Sequence, residues 1–344
     1  MDNLCHSLAG AAIAQSGFAR RLPRATLLGV IAANIPDVDA LTYVWTDAAT
    51  AVSFRRGWTH GVLAMAVWTV LLSVAFGWWS RRRTDIESPS VDGWTGDPTT
   101  AGESHGWTAY VVLSAIAVCS HPALDWLNSY GIRLLMPFSD RWFYGDALFI
   151  VDPPMLVLFA AGWFVSSRAL KAGSPHPHRA ARAALAAAAT YIVVMKTMSV
   201  ATRSATEAQF GLTDASAREL MVAPRPLMWL RRDVVVTTSA TYDRYPATWS
   251  GWRPEIGERL WSDSIGVTPE VEESVRATRD GSRFLRWSRF PYFVPGTGPD
   301  AGTIFVGDLR YSAGTVESWA GIRVRASTPA MTGHTEVTPL PRER

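Results

Sequence analysis

Charged residues are scarce in this 344-residue sequence. Asp, Glu, Lys and Arg make up 18% of the chain, compared with about 25% in a typical soluble domain. The net charge is only +3, and the arginines form short clusters beside apolar runs instead of one stripe along a helix. Binding a nucleic-acid backbone requires such a stripe or patch. The composition therefore argues against a wholly soluble protein and against a nucleic-acid partner.

Cysteine is also rare. The two cysteines, Cys5 and Cys119, lie in apolar surroundings, where cysteine most often acts as a small hydrophobic residue. We expect no structural disulfide, and the redox compartment stays open. The first basic residue is Arg20, so the chain lacks the basic start of a signal peptide and its N-terminus is expected to belong to the mature protein.

Long uncharged runs fill the sequence before about residue 200. The clearest is His60 to Trp79, which has the roughly 20 apolar residues needed to cross a bilayer. Runs at 107–126, 147–170 and 180–200 are also long enough. Two earlier segments stay open, because 4–18 is short and 25–45 contains Pro36 and two aspartates. Each of these could cross, tilt or re-enter the membrane.

The pattern changes after about residue 204 to short β-branched or aromatic runs separated by Gly and Pro. Three such runs, at 233–238, 283–288 and 303–308, are predicted as strands. The sequence thus predicts a mainly α fold, in which a polytopic α-helical membrane domain at 1–203, with four to six transmembrane helices, precedes a small mainly β soluble domain at 204–327. Residues 88–105 are predicted as a flexible loop and 328–344 as a disordered tail.

The arginine clusters predict an orientation. If the six segments cross in turn, the clusters at 20–24, 80–83 and 168–182 lie on one side, which the positive-inside rule assigns to the cytoplasm. We therefore expect an integral protein of a bacterial inner membrane, with its C-terminal domain outside the cytoplasm.

Ionisable residues at the ends of the apolar runs are the candidates for function, because charge is costly within a membrane. Alternate crossing puts the starts of the first and third segments at the same face as the ends of the second and fourth. The candidates at that face are His6, Asp37, Asp39, His60, His121 and Asp125. His121 and Asp125 are four residues apart, so both could bind one ion from one helix. Histidines with carboxylates suit zinc or a similar divalent ion better than calcium.

Each candidate also has a purely structural interpretation. A single histidine at the end of a span, such as His6 or His60, often caps a helix or lies at the interface. Asp125 could pair with an arginine, and Asp37 could cap the helix segment after Pro36. It is their grouping at one face that favours a metal site.

Further polar residues follow on the same face. Asp146 and Asp152 flank the start of the fifth segment and could be carboxylates at a helix N-terminus. Asp152 lies within the apolar run and is the stronger catalytic candidate of the two. Arg56, Arg133 and Arg141 lie in loops of this face, where they could bind an anionic group or simply be solvated.

Several motifs stand out along the first half of the chain: CHSLAG at 5–10, NIPDVD at 34–39, RGWTHG at 56–61, SHPALDWL at 120–127, YG at 130–131 and LMPF at 135–138. Together they resemble the YdjM-type membrane-bound metal-dependent hydrolases. The resemblance covers roughly residues 1–160 and implies a multi-span bacterial inner-membrane protein with hydrolase activity. A looser likeness, of the His121 to Asp125 spacing only, is to the sites of zinc-dependent phospholipase C and related nucleases.

These observations predict a metal-dependent hydrolase in which a divalent ion, most plausibly zinc, activates water against an ester or phosphoester. Asp39 or Asp152 is expected to act as general base. The position at a membrane face favours a lipid or envelope component as substrate. Two alternatives stay open, namely a transporter or ion-binding membrane protein, and a non-catalytic scaffold whose soluble domain binds a partner.

Overall fold

The computed structural model describes residues 1–81, 103–212, 219–238, 241–264, 268–312 and 320–325. The predicted tail at 328–344 lies outside these residues, as does the predicted flexible loop from 88 to 102. The last residues of that predicted loop, 103–105, are instead helical. Contacts divide the described chain into two compact units, and each is described by itself.

The first unit is helical. It comprises Met1–Asp39, Arg56–Ala201 and Ala223–Leu230. Helix α8 continues past the unit's boundary, and the short helices α3 and α4 belong to the second unit. The helices are α1 (Asn3–Gln15), α2 (Ala25–Asn34), α5 (Val62–Arg81), α6 (Glu103–Trp126), α7 (Pro153–Lys171) and α8 (Arg179–Phe210).

Five segments of the described chain are long and apolar enough to cross a membrane, and the protein is therefore a polytopic membrane protein. The predicted segment at 4–18 is not among them. It folds as α1, whose 13 residues span only about 20 Å, compared with a hydrocarbon core of about 30 Å. The five segments are Ala25–Trp45, Val62–Ser80, Gly106–Trp126, Pro153–Lys171 and Arg179–Phe210.

Prolines set two helix boundaries in this unit. Helix α2 ends at Asn34 and continues as a 3-10 helix, Ile35–Leu41, because Pro36 has no N–H for a regular helical hydrogen bond. The fifth predicted segment becomes helical only at Pro153, after Asp152 as N-cap. Proline is favoured at the first helical position, where its missing N–H would have no partner in any case.

Small residues allow α1 and α2 to pack closely. A Cβ atom on Gly10 would collide with the carbonyl of Gly29, and a Cβ on Gly29 would collide with the carbonyl of Gly10. Such glycines bring helix backbones into direct contact. Leu28 and Leu113 lie in the buried core that α2 and α6 share.

The arginine clusters meet at one end of these helices. The guanidinium of Arg24 lies 4.0 Å from the ring centre of Trp79, near the end of α5. Arg20 donates a hydrogen bond of 3.3 Å to the carbonyl of Pro175, between α7 and α8. The loop after α1, the end of α5 and the α7–α8 connection therefore lie together.

The second unit contains most of two antiparallel sheets, and only the segment Ala223–Leu230 of the first sheet is counted with the first unit. One has the order β1-β2-β3-β4, with β5 also paired to β3, and the other has the order β6-β7-β8. The unit comprises Ala40–Arg55, Thr202–Val222 and the described residues from Arg231 onward. The strands are β1 (Glu219–Arg225), β2 (Met228–Thr237), β3 (Thr241–Ser250), β4 (Arg253–Ile256), β5 (Trp261–Ser264), β6 (Pro291–Pro295), β7 (Ile304–Asp308) and β8 (Gly321–Val324).

Short helices complete the second unit. Helix α4 packs against α10, where the Arg283 guanidinium donates a hydrogen bond to the hydroxyl of Thr50. Trp287 and Phe290 are fully buried nearby. The helices are α3 (Thr42–Trp45), α4 (Ala48–Phe54), α9 (Pro269–Ala277), α10 (Arg279–Trp287) and α11 (Leu309–Ser312).

The predicted strand at 283–288 is wrong, because these residues form most of α10. The Thr278 hydroxyl caps the helix by accepting a hydrogen bond from the backbone N–H of Gly281. Gly281, Phe284 and Leu285 are buried at the i, i+3, i+4 spacing of a helix face. Runs 233–238 and 303–308 lie almost entirely in β2 and β7, as predicted. Both cysteines are free, as expected.

Candidate metal centre

The polar candidates of the first unit converge on one buried cluster. His6 comes from α1, Asp37 and Asp39 from the 3-10 helix after α2, and His60 from the turn before α5. His121 and Asp125 lie one turn apart near the end of α6, on either side of Pro122. All six are buried, and no side chain among them is more than 8% exposed.

Two histidines face each other at the centre of the cluster. The Nε2 atoms of His60 and His121 are 3.1 Å apart. The other ring nitrogen of His121, Nδ1, lies 2.7 Å from the carbonyl oxygen of Ala33. A carbonyl oxygen can only accept, so Nδ1 of His121 carries the proton and Nε2 presents a lone pair.

His60 is held in the same way. Its Nδ1 lies 2.9 Å from the Thr59 hydroxyl oxygen and 3.3 Å from Asp39 Oδ2. Because the Thr59 hydroxyl donates its hydrogen to Asp39 Oδ2 at 3.0 Å, its oxygen is left to accept from His60 Nδ1. Both Nε2 atoms then present lone pairs to each other, and a cation between them, either a proton or a metal ion, is needed to satisfy both.

Asp37 completes a group of three ligand atoms. Its Oδ1 lies 3.7 Å from Nε2 of His60 and 3.9 Å from Nε2 of His121. Around a tetrahedral zinc ion with bonds of about 2.0–2.1 Å, neighbouring ligand atoms are about 3.3 Å apart. The Nε2–Nε2 separation of 3.1 Å is close to that value and the two separations from Asp37 Oδ1 are somewhat longer, so Asp37, His60 and His121 could hold a metal ion together after a small adjustment.

Asp125 lies directly beside this group. Its Oδ2 is 3.5 Å from Nε2 of His121, 3.8 Å from Nε2 of His60 and 2.9 Å from Nε of Arg56. Its Oδ1 contacts the amino group of Met1. The pairing with an arginine that the sequence left open is therefore present, and Asp125 also remains within reach of an ion at the histidines.

His6 belongs to the cluster, but its ring is oriented differently from a ring that would share the ion with His60 and His121. Its Nε2 lies 3.3 Å from Asp125 Oδ1, and its ring stacks on that of His121 with centres 3.8 Å apart and planes 21° apart. His6, His121 and Asp125 form a second group of possible ligand atoms. Nitrogen lone pairs lie in the ring plane, however, so nearly parallel stacked rings direct them side by side instead of to one point. The geometry fits an ion better at the group containing Asp37.

Asp39 contacts His60 on the side of the ring that faces away from His121. Its Oδ2 accepts hydrogen bonds from the backbone N–H of Arg56 at 2.8 Å and from the Thr59 hydroxyl at 3.0 Å, and it faces His60 Nδ1. Carboxylates that hold the far nitrogen of a histidine in this way are common beside metal ligands. Sequence reasoning did not select Thr59, although its place directly before His60 was a usable signal.

Arginines lie along one side of the cluster. Arg56 donates hydrogen bonds to Asn128 Oδ1 at 3.2 Å and to the Gly131 carbonyl at 3.3 Å. Arg133 lies against Gly57 and forms an ion pair of 3.6 Å with Asp140. Both arginines are buried. Asn128 was another residue that the sequence analysis missed.

Asp152 is a helix cap in this structure. Its Oδ1 accepts from the backbone N–H of Met155 at 3.2 Å, and its Oδ2 accepts from the Tyr191 hydroxyl at 3.2 Å. Asp152 therefore accepts hydrogen bonds from both α7 and α8. Asp146 is also tied to α8, since its carbonyl accepts a hydrogen bond of 2.6 Å from Ser199.

The spans and the buried histidine–carboxylate cluster together define a polytopic membrane protein with a candidate metal centre. The family model described as YdjM inner membrane protein matches residues 1–201, more than half of the chain. The chain therefore belongs to the YdjM inner membrane protein family. No curated protein and no solved structure matches it.

Proposed function

We propose that this protein is a membrane-bound, metal-dependent hydrolase. Asp37, His60 and His121 would hold a divalent ion, for which this donor set favours zinc, and Asp125 would supply the fourth ligand. The observation that carries the proposal is the pair of Nε2 atoms 3.1 Å apart, each on a ring whose Nδ1 faces an oxygen. Imidazole with carboxylate is a donor set that zinc favours.

Asp39 and His6 take supporting roles in this proposal. Asp39 orients His60 and fixes its tautomer, an outer-shell task to which it is better suited than to ligation because its Oδ2 already accepts two hydrogen bonds. Of the six candidate residues, His6 is the least suited to bind the ion directly, because its ring is stacked on that of His121.

His6 is well arranged to accept a proton. Its Nε2 faces Asp125 Oδ1 at 3.3 Å, and within the described part of the chain its buried Nδ1 has no hydrogen-bond partner. A histidine oriented by a carboxylate, with its second nitrogen available, is a common general base. We therefore assign the base to His6 in preference to Asp39, which is engaged with His60, and to Asp152, which caps α7.

The bound ion would lower the pKa of a coordinated water and polarise the substrate. Side chains of the cluster and the residues around it would move the proton and bind the substrate. His6 takes the proton of the attacking water, and Asp125 stabilises the resulting imidazolium. Arg56 is buried, and its Nε lies 2.9 Å from Asp125 Oδ2. Arg133 is a second buried positive charge, and its backbone N–H donates to the Arg56 carbonyl. These charges attract an anionic group of the substrate, which favours a phosphoester over a neutral ester. The position near the ends of the spans favours a lipid or envelope component.

The orientation belongs to the same proposal. The arginine-rich segments meet at one end of the helices, and the positive-inside rule assigns that end to the cytoplasm. Five crossings that begin there after Arg24 end outside the cytoplasm after α8. The protein then lies in a bacterial inner membrane with its C-terminal region and its cluster towards the outer face.

A transporter or ion-binding membrane protein is the main alternative, because ionisable residues within spans also form ion paths and proton relays. A path requires such groups through the depth of the bilayer, whereas His6, Asp37, Asp39, His60, His121 and Asp125 form one cluster. A non-catalytic scaffold is the second alternative, and it needs no ion at all.

Metal analysis together with a hydrolysis panel tests the proposal. The protein, purified in detergent, is stripped with a chelator, reloaded with zinc, and assayed on phosphoester and carboxyl-ester lipids. We expect stoichiometric zinc and zinc-dependent hydrolysis in the wild type, loss of both in His60→Ala, and loss of hydrolysis alone in His6→Ala. Absence of bound metal after reloading would contradict the metal-dependent hydrolase and favour a non-catalytic scaffold. Bound metal with ion flux in vesicles and no hydrolysis would favour the transporter.

A further inference from the structure

The turn between β1 and β2 exposes an unusual run of apolar side chains. Leu227 is 83% exposed, and Met228, Trp229 and Leu230 are each about half exposed. Successive residues of a strand point to opposite faces, so four exposed residues in a row mean that neither face of this end of the hairpin is covered within the described chain. A soluble surface rarely presents such a patch without a partner.

The backbone of the turn adds to this observation. Leu227 has a φ of 59°, in the left-handed region where glycine or asparagine is the usual residue and a bulky side chain is strained. The most exposed position of the turn therefore carries a large apolar residue where a glycine would fit with less strain.

A second hairpin ends at the same end of the sheet. Strand β3 pairs antiparallel with β2, with Arg231 opposite Thr248, so β2 begins at the end where β3 finishes. The turn from β3 to β4 follows there, and its Trp252 is 95% exposed. The exposed residues Leu227, Met228, Trp229, Leu230 and Trp252 are called the hairpin tips below.

Two contacts within the second unit show how strand β3 lies along the last turns of α8. The rings of Phe210 and Tyr245 lie 4.6 Å apart, and Trp249 donates a hydrogen bond of 3.1 Å to the Thr202 hydroxyl. Eight helical residues rise about 12 Å, and four strand residues extend about 13 Å. Strand β3 thus runs back along the last two turns of α8.

Those two turns lead towards the membrane. Arg203 and Glu207 form an exposed ion pair, which marks the polar end of α8, whereas Val193, Val194 and Val200 are exposed apolar residues of the spanning part. Trp252 follows Trp249 by three residues, in the direction that runs from Phe210 back towards Thr202 along α8. Ala223–Leu230 belongs to the same compact unit as the membrane helices.

We propose that the hairpin tips are a membrane-binding surface that inserts into the interfacial layer of the leaflet from which α8 emerges. Tryptophan is favoured at that depth because its ring is apolar and its N–H finds polar partners. Arg231 and Arg253, which flank the tips and are exposed, are suited to lipid phosphates. The inserted tips hold the sheet against the bilayer, independently of the reaction at the cluster.

Depth-dependent fluorescence quenching tests this surface. A polarity-sensitive fluorophore is attached to Leu227→Cys or Trp252→Cys, with Cys119 replaced by Ser, in the full-length protein reconstituted into phosphatidylethanolamine and phosphatidylglycerol vesicles. Leu260→Cys is the matched control, because Leu260 is 53% exposed and apolar but lies at the level of Arg244, away from the tips.

We expect the labels at 227 and 252 to show blue-shifted emission, strong quenching by lipids carrying a shallow spin label, and protection from aqueous iodide. The label at 260 should show the reverse. Equal iodide quenching at all three positions would overturn the proposal, and so would tip labels shielded from both quenchers, since a protein partner would then cover them. Leu227→Cys lies in a turn with little packing to lose, so it keeps the test valid if Trp252→Cys misfolds.

Discussion

The rings of His60 and His121 point their Nε2 atoms at each other across 3.1 Å, while Ala33 and the Thr59–Asp39 pair hold their Nδ1 atoms. Neither ring can rotate to relieve the contact without losing a buried hydrogen bond, which costs about 1–3 kcal/mol per unsatisfied group. The backbone and outer residues thus preorganise two nitrogen ligands before any ion arrives.

Removal of a proposed ligand should remove the metal. In His121→Ala and Asp125→Ala, bound zinc and hydrolysis should both be lost, because one rigid helix, α6, supplies both side chains to the site. The protein should still insert into the membrane. Changes to outer-shell residues cost about 10–100-fold in metal affinity or activity, and the loss of a direct ligand should cost at least as much. Metal content after zinc loading is the measurement.

His176→Ala is the control, since His176 is exposed in the α7–α8 connection and should change nothing. Equal metal content in the wild type, His121→Ala and Asp125→Ala would show that His121 and Asp125 are not metal ligands and contribute only to packing and ion pairing.

A milder defect is expected at Asp39. In Asp39→Asn the side chain keeps its shape but no longer provides a carboxylate to His60 Nδ1, Thr59 and the backbone N–H of Arg56. Zinc affinity, measured by competition with a chelator, should fall by about 10–100-fold without being abolished. A loss as complete as that in His60→Ala would instead make Asp39 a direct ligand.

The sequence was sufficient for the four clearest membrane spans, and it selected the six ionisable residues that the structure brings into one cluster. Uncharged runs predict the spans, and the cost of burying charge in a membrane singles out the ionisable residues. Neither prediction requires knowledge of where a side chain points. The sequence could not separate ligands from supporting residues. That Asp39 faces Nδ1 of His60 while Asp37 faces Nε2 depends on the 3-10 turns after Pro36, which two aspartates two residues apart do not specify.

The error at 283–288 has a different origin. The aromatic residues Phe284 and Trp287 suggested a strand by propensity, which is a weak guide where packing decides. The Thr278 cap and the helical spacing of buried residues were present in the sequence, but a run of six residues is too short to show a helical period clearly.

The orientation can be measured with a C-terminal fusion. A reporter that matures only in the periplasm should be active at this position, and one that works only in the cytoplasm should be silent, because five crossings separate the arginine-rich end from the C-terminal region. A fusion in the loop after Arg81 should give the opposite pattern and serves as the internal control. Cytoplasmic activity at the C-terminus would invert the topology and place the cluster at the inner face.

The C-terminal region should depend on one buried ion pair. Asp308 and Arg310 are both almost inaccessible, and Asp308 Oδ1 lies 2.9 Å from Nε of Arg310. Burial by itself would raise the pKa of Asp308, but the charge of Arg310 and hydrogen bonds from Arg310 and Ser288 outweigh it and hold the pKa below its ordinary value. A lowered pKa in the folded state means that the ionised form stabilises the fold above the unfolded pKa of about 3.9, and that this stability is lost as the pH falls through the folded pKa.

Asp308→Asn should therefore destabilise the C-terminal region at pH 7 by about 3–5 kcal/mol, because it leaves the Arg310 guanidinium buried without a counter-charge. Resistance of this region to proteolysis, measured in detergent as a function of denaturant, reports the change, and the difference from the wild type should shrink in acid, where the wild-type carboxylate is itself protonated. Asp300→Asn is the matched control, because Asp300 pairs with Arg323 at 2.9 Å with both side chains well exposed, and such surface pairs contribute only about 0–1 kcal/mol. Equal stability losses in the two variants at pH 7 would show that burial of the Asp308 pair adds nothing.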